Sequence, residues 1–385
     1  MYSFFSDEWL NFETVRILGT APSGGADICE VLDAVAQIRE SDPETWQHAW
    51  QAQAKRAEAT AECCIVAGNR PLARNALLRA ANYTRASGYM LVGETPALQP
   101  ATALPIAERA VDLFRRATEY FDGEVRVLSI PYAGGLQLDG YLFLPSPEKR
   151  VYAGDGSEEK KRKIPVVINC GGADSTKEEL YFLNPAAGTE LGYACLTFDG
   201  PGQGMSLRKH GLKLRADWEY VMRYVLGFLE EYEPANPHLG LDLDRVAVSG
   251  SALGGYLALR AASDPRIKAC VAIDPVYDLF DFATRRVPPL VLQSWTRGWV
   301  SDSVLDTLLR TAARWSLRMK WEVSLAGAFW GLDRPTEIMR EMHKFTLRGA
   351  GDSKAGFPGL VKCPTLVSGA KSSLYLEIDE YTMRT

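Results

Sequence analysis

Arg245-Val-Ala-Val-Ser-Gly-Ser-Ala-Leu-Gly-Gly-Tyr-Leu-Ala-Leu-Arg-Ala-Ala262 is the stretch whose reading decides the fold. A short β-branched run ends at Val248, glycines punctuate 250–255, and from Leu253 alanine and leucine recur at helical spacing. The stretch therefore reads strand, sharp turn, helix. That is the setting of a nucleophile elbow, Gly-x-Ser-x-Gly, in which glycines permit a strained turn and the central side chain is presented at the end of the strand. Here the motif glycines are Gly250 and Gly254, and the central position is Ala252. The frame of an acyl-transfer site is present and its attacking atom is absent.

The flanking sequence extends the same pattern. Residues 125–132 and 136–144 alternate around Gly134-Gly135 and predict a hairpin. An apolar strand at 164–168 runs into Asn169-Cys170-Gly171-Gly172-Ala173-Asp174-Ser175, and another at 193–198 runs into Asp199-Gly200-Pro201-Gly202-Gln203-Gly204. A helix is predicted over 217–232, and further strands over 267–273 and 364–369. Apolar strands alternating with helices predict an α/β fold with a mostly parallel central sheet. Ligands of such sheets lie beyond the carboxyl ends of the strands, where the glycine-rich turns fall.

Residues 1–122 are rich in Ala, Arg, Glu and Leu, and 54–89 have one long helical periodicity. Arg74, Arg79 and Arg85 there are either a solvated basic edge or part of a helical cap over the site. Residues 274–363 hold Trp295, Trp299, Trp315, Trp321 and Trp330 with helical spacing, placed as a lid between two core strands. These tryptophans either line a deep apolar pocket or pack lid helices together. The chain thus divides into a cap-like helical domain (1–122), an α/β core (123–276), a helical lid insertion (277–360) and a return to the core (361–385).

Composition narrows the class. Of 385 residues 46% are hydrophobic and 24% charged, as in an ordinary globular protein. A net charge of -5 gives no electrostatic reason to expect nucleic acid or an anionic membrane as partner. The opening Met1-Tyr-Ser-Phe-Phe-Ser-Asp-Glu-Trp9 lacks the pattern of a signal peptide, and no apolar run approaches the roughly 20 residues of a membrane span, so the chain reads as cytoplasmic. The 7 cysteines show no paired Cys-x-x-Cys spacing, which predicts buried thiols and no metal. No cofactor is implied.

In acyl transfer at such an elbow, the N–H of the residue after the nucleophile, Leu253, and the N–H groups of the loop after an earlier strand, Gly172 and Ala173, form an oxyanion hole. Asp199 reads as an acceptor for loop amides. Asp174, Lys177 and Glu178 stand where the next helix is expected to be capped. Asp174 is also a candidate substrate contact, with Tyr256, Trp295 and Trp299. The acid is expected three residues beyond Gly369, where Ser372 stands; Asp274 is the alternative acid, with Asp278 near it. The only histidine after the elbow is His343, expected on an exposed helix of the lid. A final strand, helix and base histidine are expected to lie beyond the sequence shown; the alternative is that no base exists.

Ile168-Asn-Cys-Gly-Gly-Ala-Asp-Ser-Thr-Lys-Glu-Glu179, Phe198-Asp-Gly-Pro-Gly-Gln-Gly204, Gly250-Ser-Ala-Leu-Gly-Gly-Tyr256 and Cys363-Pro-Thr-Leu-Val367 together resemble α/β-hydrolases with an N-terminal helical domain. The group includes 2,6-dihydroxypseudooxynicotine hydrolase, the fungal heptaketide hydrolases of pigment synthesis and the polyketide transferase of fumagillin biosynthesis. The resemblance covers nearly the whole chain. It implies Ser or Cys at 252, Asp near 372 and a C-terminal His, and the sequence departs at all three. Two accounts of Ala252 stay open: removal of the nucleophile by substitution, favoured by the intact surroundings, and natural loss.

The resemblance implies an acyl-transfer or hydrolytic enzyme of secondary metabolism acting on a polyketide-derived ester, thioester or β-diketone. Its partners would be that hydrophobic small molecule and an acyl carrier or acyl acceptor; a homodimer is implied by resemblance alone. Two other classes compete: a non-catalytic binder of a hydrophobic small molecule, and a nucleophile-independent cyclase or lyase that uses only the oxyanion hole.

Overall fold

The computed structural model describes residues 2–150, 163–349, 356–371 and 373–375. The chain opens with α1 (Glu8–Leu18), α2 (Ile28–Val35), α3 (Pro43–Val66), α4 (Arg70–Ser87) and α5 (Ala103–Thr118). The periodicity over 54–89 belongs to two helices. Gly68, at φ 69°, turns the chain, and the Asn69 side chain accepts from Leu72 N at 3.3 Å to cap α4. The start of α3 is fixed similarly, by the Asp42 carboxylate on Glu44 N and Thr45 N, with Pro43 at the first position.

These helices bury Trp46, Trp50, Tyr83, Leu113 and Phe114 in a core that continues onto the sheet through Tyr141 and Phe143 and onto the lid through Trp321. Each such side chain contributes about 1.5–3 kcal/mol by leaving water. The N-terminal helices are therefore packed onto the sheet by a shared core.

The sheet is built from β1 (Val125–Pro131), β2 (Gln137–Phe143), β3 (Ile164–Cys170), β4 (Ala194–Phe198), β5 (Leu241–Ser251), β6 (Ile267–Ile273) and β7 (Thr365–Ser368) in the order β1-β2-β4-β3-β5-β6-β7. β1 and β2 form the predicted hairpin and β2 pairs antiparallel with β4; all other pairs are parallel. The interior strands β3 and β4 are almost wholly buried, which is why they are continuous apolar runs, whereas the edge strand β1 alternates. This order, with an antiparallel hairpin leading an otherwise parallel sheet, is the α/β-hydrolase architecture.

Between the strands lie α6 (Lys177–Leu183), α7 (Pro185–Glu190), α8 (Gly204–Arg208), α9 (Trp218–Ala235) and α10 (Leu253–Ala261). Between β6 and β7 the chain makes α11 (Phe280–Arg286), α12 (Pro289–Thr296), α13 (Asp302–Trp315), α14 (Leu317–Trp330) and α15 (Pro335–Met342). Their own small core includes Val287, Leu292, Trp295, Leu305 and Met339. Among the described residues no helix is long and apolar enough to cross a membrane. The expected final strand and helix, like Ser372, lie outside the described residues.

Candidate active site

Register brings the site together. Cys170 at the end of β3 pairs with Gly250 of β5, and Ser251 pairs with Ile273 at the end of β6, so three strands deliver their following turns to one place. Ala252 sits between β5 and α10 at φ 52°, ψ −121°, a backbone conformation that costs a residue bearing a Cβ about 1–3 kcal/mol. Its surroundings hold it there. Ala252 N donates to Ile273 O at 2.9 Å, and Ala252 O accepts from Gly255, Tyr256 and Val276 N–H groups at 3.0, 3.2 and 3.2 Å.

The elbow glycines are required by close approach. A Cβ on Gly250 would lie 2.1 Å from Gly254 O, and one on Gly254 would lie 2.4 Å from Cys170 O and 3.1 Å from Gly172 N. The first turn of α10 is thus pressed against the Cys170–Gly172 backbone, with Gly172 beside Gly254, the residue after Leu253. As the first residue of α10, Leu253 has an N–H with no intrahelical partner.

That loop is clamped from the other side by Gln203. The buried amide donates from Nε2 to Gly171 O (2.7 Å) and Gly172 O (3.0 Å), while its Oε1 accepts from Gly200 N at 2.9 Å. The Gly200–Gly204 turn, readable in the sequence as a tight loop, is a brace for the candidate oxyanion loop. Asp199 is the expected structural acceptor: its carboxylate takes Lys177 N (2.8 Å), Met205 N (2.9 Å) and Lys177 Nζ (3.0 Å).

Helix α6 is capped by Thr176, whose Oγ1 accepts from Glu179 N, and not by Asp174, Lys177 or Glu178. Lys177 and Glu178 are buried as an ion pair at 2.9 Å, joined by the Tyr141 hydroxyl, which donates to Glu178 Oε1 at 3.1 Å. Asp174 instead meets the N-terminal helices. Its Oδ2 accepts from Arg16 Nη1 at 2.5 Å and from the Tyr89 hydroxyl at 2.8 Å. Burial would raise its carboxyl, but Arg16 holds it below the ordinary value. Arg16 also grips Glu179, and Glu13 lies 3.4 Å away. Burial, with Asp174 and Glu179 adding negative charge, pushes Glu13 up to about 7 against the pull of Arg16.

A cavity of about 110 Å³ opens beside this cluster, between α4, α5, the β3–α6 loop, α8 and α14. Tyr89, Phe114, Asp174, Arg208 and Trp321 line it, and Ala173 belongs both to the cavity wall and to the loop against the elbow. Of the basic residues of α4, Arg85 is in the wall and pairs with Glu179, whereas Arg74 and Arg79 pair outside it with Asp122 and Glu30.

Three expected substrate contacts are not in that wall. Tyr256 is fully buried, its hydroxyl donating to Ala216 O and its ring packed on Phe345, because α10 buries this face against the core. Trp295 is held in the lid core by a hydrogen bond from Nε1 to Asp302 at 2.8 Å, and Trp299 is 73% exposed. The lid tryptophan that reaches the cavity is Trp321, which packs on Trp9 and Tyr89 and donates to Tyr89 O. Helical spacing marks a face and not its destination, so the sequence did not distinguish Trp321 from the others.

Asp274 follows β6 directly, at φ 47°, with Oδ2 accepting from Ser373 Oγ at 2.7 Å and N–H donating to Ser368 O at 2.5 Å. It stands one residue beyond the strand partner of Ser251. Asp278 is committed elsewhere, to Thr346 and Arg348. His343 is exposed at the end of α15, stacked on Phe280. Cys170, Cys195 and Cys270 are buried, each pushed up to about 12 by burial, but Cys29 and Cys63 are exposed, contrary to the expectation of uniformly buried thiols.

Residues 16–325 match the model of the family described as Esterase FrsA-like. The chain is 50% identical to hydrolyase ccsE of Aspergillus clavatus, over 99% of this chain and 87% of that protein. It is also 50% identical to hydrolase ORFZ of Pyricularia oryzae, over 100% and 87%. Among solved structures it is similar to 2,6-dihydroxy-pseudo-oxynicotine hydrolase, with a TM-score of 0.64 and 21% identity over 91% of this chain and 80% of that one.

Proposed function

The chain belongs to the esterase FrsA-like family, and from that premise we propose an α/β-hydrolase-fold enzyme of secondary metabolism that acts on the carbonyl group of a hydrophobic, polyketide-derived small molecule. The substrate is an ester, thioester or β-diketone, taken from an acyl carrier or passed to an acyl acceptor or to water. The observation that carries this reading is the elbow: Ala252 keeps the strained φ of 52° and Gly254 stays pressed on the Cys170–Gly172 backbone. The relatives named hydrolyase and hydrolase, aligned over nearly the whole chain, support it.

In the acyl-transfer form, the Ser hydroxyl or Cys thiol at 252 gives up its proton to a base and bonds to the carbonyl carbon. The π pair moves to the oxygen, where the amides of Leu253, Gly172 and Ala173 receive its charge. Collapse breaks the bond to the alkoxide, thiolate or enolate, which leaves as the proton is returned to it. Gln203 keeps the loop donors in place before the substrate arrives. Asp274 is the candidate acid within the described residues. Tyr89, Asp174 and Trp321 contribute the binding wall.

The test is to make Ala252→Cys and Ala252→Ser and expose each, with the parent as control for Cys29 and Cys63, to para-nitrophenyl hexanoate. A thiol is nucleophilic without an adjacent base, so the cysteine form tests the oxyanion site separately from the base. The expected result is a single hexanoyl adduct by intact mass in the cysteine form, above any in the parent. Absence of adduct in both variants removes the acyl-transfer reading. A second reading is favoured by Ala252 itself, which offers no attacking atom: with the alanine kept, the same amides stabilise an enolate in a cyclisation or elimination. Turnover of a β-diketone by the Ala252 protein selects it, and binding without turnover selects the non-catalytic binder.

A further inference from the structure

One guanidinium in the cavity wall, that of Arg208, is used differently from those of Arg16, Arg215 and Arg260. Arg16 holds Glu179 through Nε and Nη2 at 2.8 and 2.7 Å. Arg215 holds Asp217 at 2.7 and 2.7 Å, and Arg260 holds Glu219 at 2.8 and 2.6 Å, through the same two nitrogens. This side-on fork matches two coplanar oxygens bidentately. Arg208, the last residue of α8, donates from Nη1 to Gly204 O at 3.1 Å and makes no ion pair among the described residues. That bond holds the far corner of its guanidinium and leaves the Nε–Nη2 edge without a protein acceptor among the described residues.

The neighbours do not compete for that edge. Asp174 bonds Arg16, Glu179 bonds Arg16 and Arg85, and Glu178 and Asp199 share the one Lys177, so each carboxylate has its bonded cation elsewhere and none bonds Arg208 among the described residues. The same wall also carries apolar side chains, with Leu207, Leu325 and Phe329 beside Phe114 and Trp321. Burial lowers the pKa of Arg208, yet an arginine stays charged at neutral pH. Asp199, Glu178 and Asp174 favour the charge at a distance, so the cation is tolerated in the wall while its Nε–Nη2 fork stays available to an arriving anion.

The geometry points to Arg208 as the anchor for a delocalised oxyanion on the small molecule that occupies this cavity, either a carboxylate or the enolate of an acidic β-dicarbonyl. This assignment rests on the cavity being the substrate site of the proposed enzyme, and it specifies the substrate class: an amphipathic acid whose apolar part lies against Phe114, Trp321 and Phe329.

Binding is measured by titration calorimetry on the Ala252 protein, in which no bond is made or broken, so a failed acylation at position 252 leaves this result readable. The probes are phenylbutyrate with its neutral amide, and acetyldimedone with its neutral enol methyl ether; the two pairs separate the carboxylate from the enolate. The parent is expected to bind at least one anion about tenfold or more above its neutral counterpart, and Arg208→Gln to lose about ten- to a hundredfold for that anion only. Arg208→Lys, which keeps the charge without the fork, is expected to fall between. Unchanged affinity for the neutral probe shows that the glutamine variant is folded; if it does not fold, the lysine variant decides. No anion preference in the parent, or parental anion affinity in the glutamine variant or, where that does not fold, in the lysine variant, overturns the assignment.

Discussion

Gln203 holds Gly171: its Nε2 lies 2.7 Å from the glycine carbonyl, and through that contact a turn after β4 sets the backbone of the loop after β3. Replacing it by Met keeps the volume and leaves two carbonyls and the Gly200 N–H without their buried partner. Each such loss costs about 1–3 kcal/mol. Gln203→Met is expected to lower stability by about 3 kcal/mol or more in urea unfolding. In the Ala252→Cys background it is expected to slow hexanoylation about tenfold or more, because the loop donors lose their brace. An unchanged acylation rate in a destabilised protein would show that Gln203 serves the fold alone.

Gly254→Ala tests the packing of the elbow directly. The added Cβ meets Cys170 O at 2.4 Å, and a carbonyl fixed within a parallel strand cannot move aside as a flexible side chain does. The expected loss is about 3 kcal/mol or more, or failure to accumulate as folded protein. Gly68→Ala, where a Cβ meets nothing within 4 Å, is the control for positive-φ strain without a clash; it is expected to cost about 1–2 kcal/mol.

The elbow was legible because two physical demands, tight backbone approach and a strand-to-helix turn, both select glycine at fixed offsets. The sheet was legible because burial on both faces writes a continuous apolar run, as in β3. The clamps were not, because they join distant positions. Gln203 meets carbonyls 31 and 32 residues earlier, and Arg16 meets Asp174 158 residues later, with no local signature at either end. The tryptophans misled for a different reason. Trp295, Trp299 and Trp321 share composition and helical context, and only the docking of the N-terminal helices onto α14 gives Trp321 the cavity.

Lys177 is the cation on which two buried carboxylates depend, Glu178 at 2.9 Å and Asp199 at 3.0 Å. Burial alone would lower its pKa, and these carboxylates hold it above the ordinary lysine value. Lys177→Met leaves both without a countercharge, which typically costs about 3–5 kcal/mol. Lys177→Met with Asp199→Asn is expected to recover part of that loss, since one buried charge is removed with its partner. Equilibrium unfolding of the two variants measures the difference.

Glu13 gives the fold a pH dependence of definite sign. Burial raises its carboxyl from 4.5 to about 7, so between those values the folded protein keeps a proton that the unfolded chain has released. Unfolding there releases a proton, and stability must fall as pH rises from about 4.5 to about 7, then stay lower by a constant amount. A shift of this size corresponds to about 3–3.5 kcal/mol, of which the part lost between pH 5 and pH 8 is about 2–2.5 kcal/mol. Glu13→Gln keeps the shape and removes the titration, while Arg16 retains Asp174 at 2.5 Å and Glu179 at 2.7 Å. The variant is therefore expected to gain about 2 kcal/mol on the parent at pH 8 relative to pH 5, read from urea unfolding at the two values. Equal pH slopes for parent and variant would mean that Glu13 is ionised throughout and that Arg16, not burial, governs it.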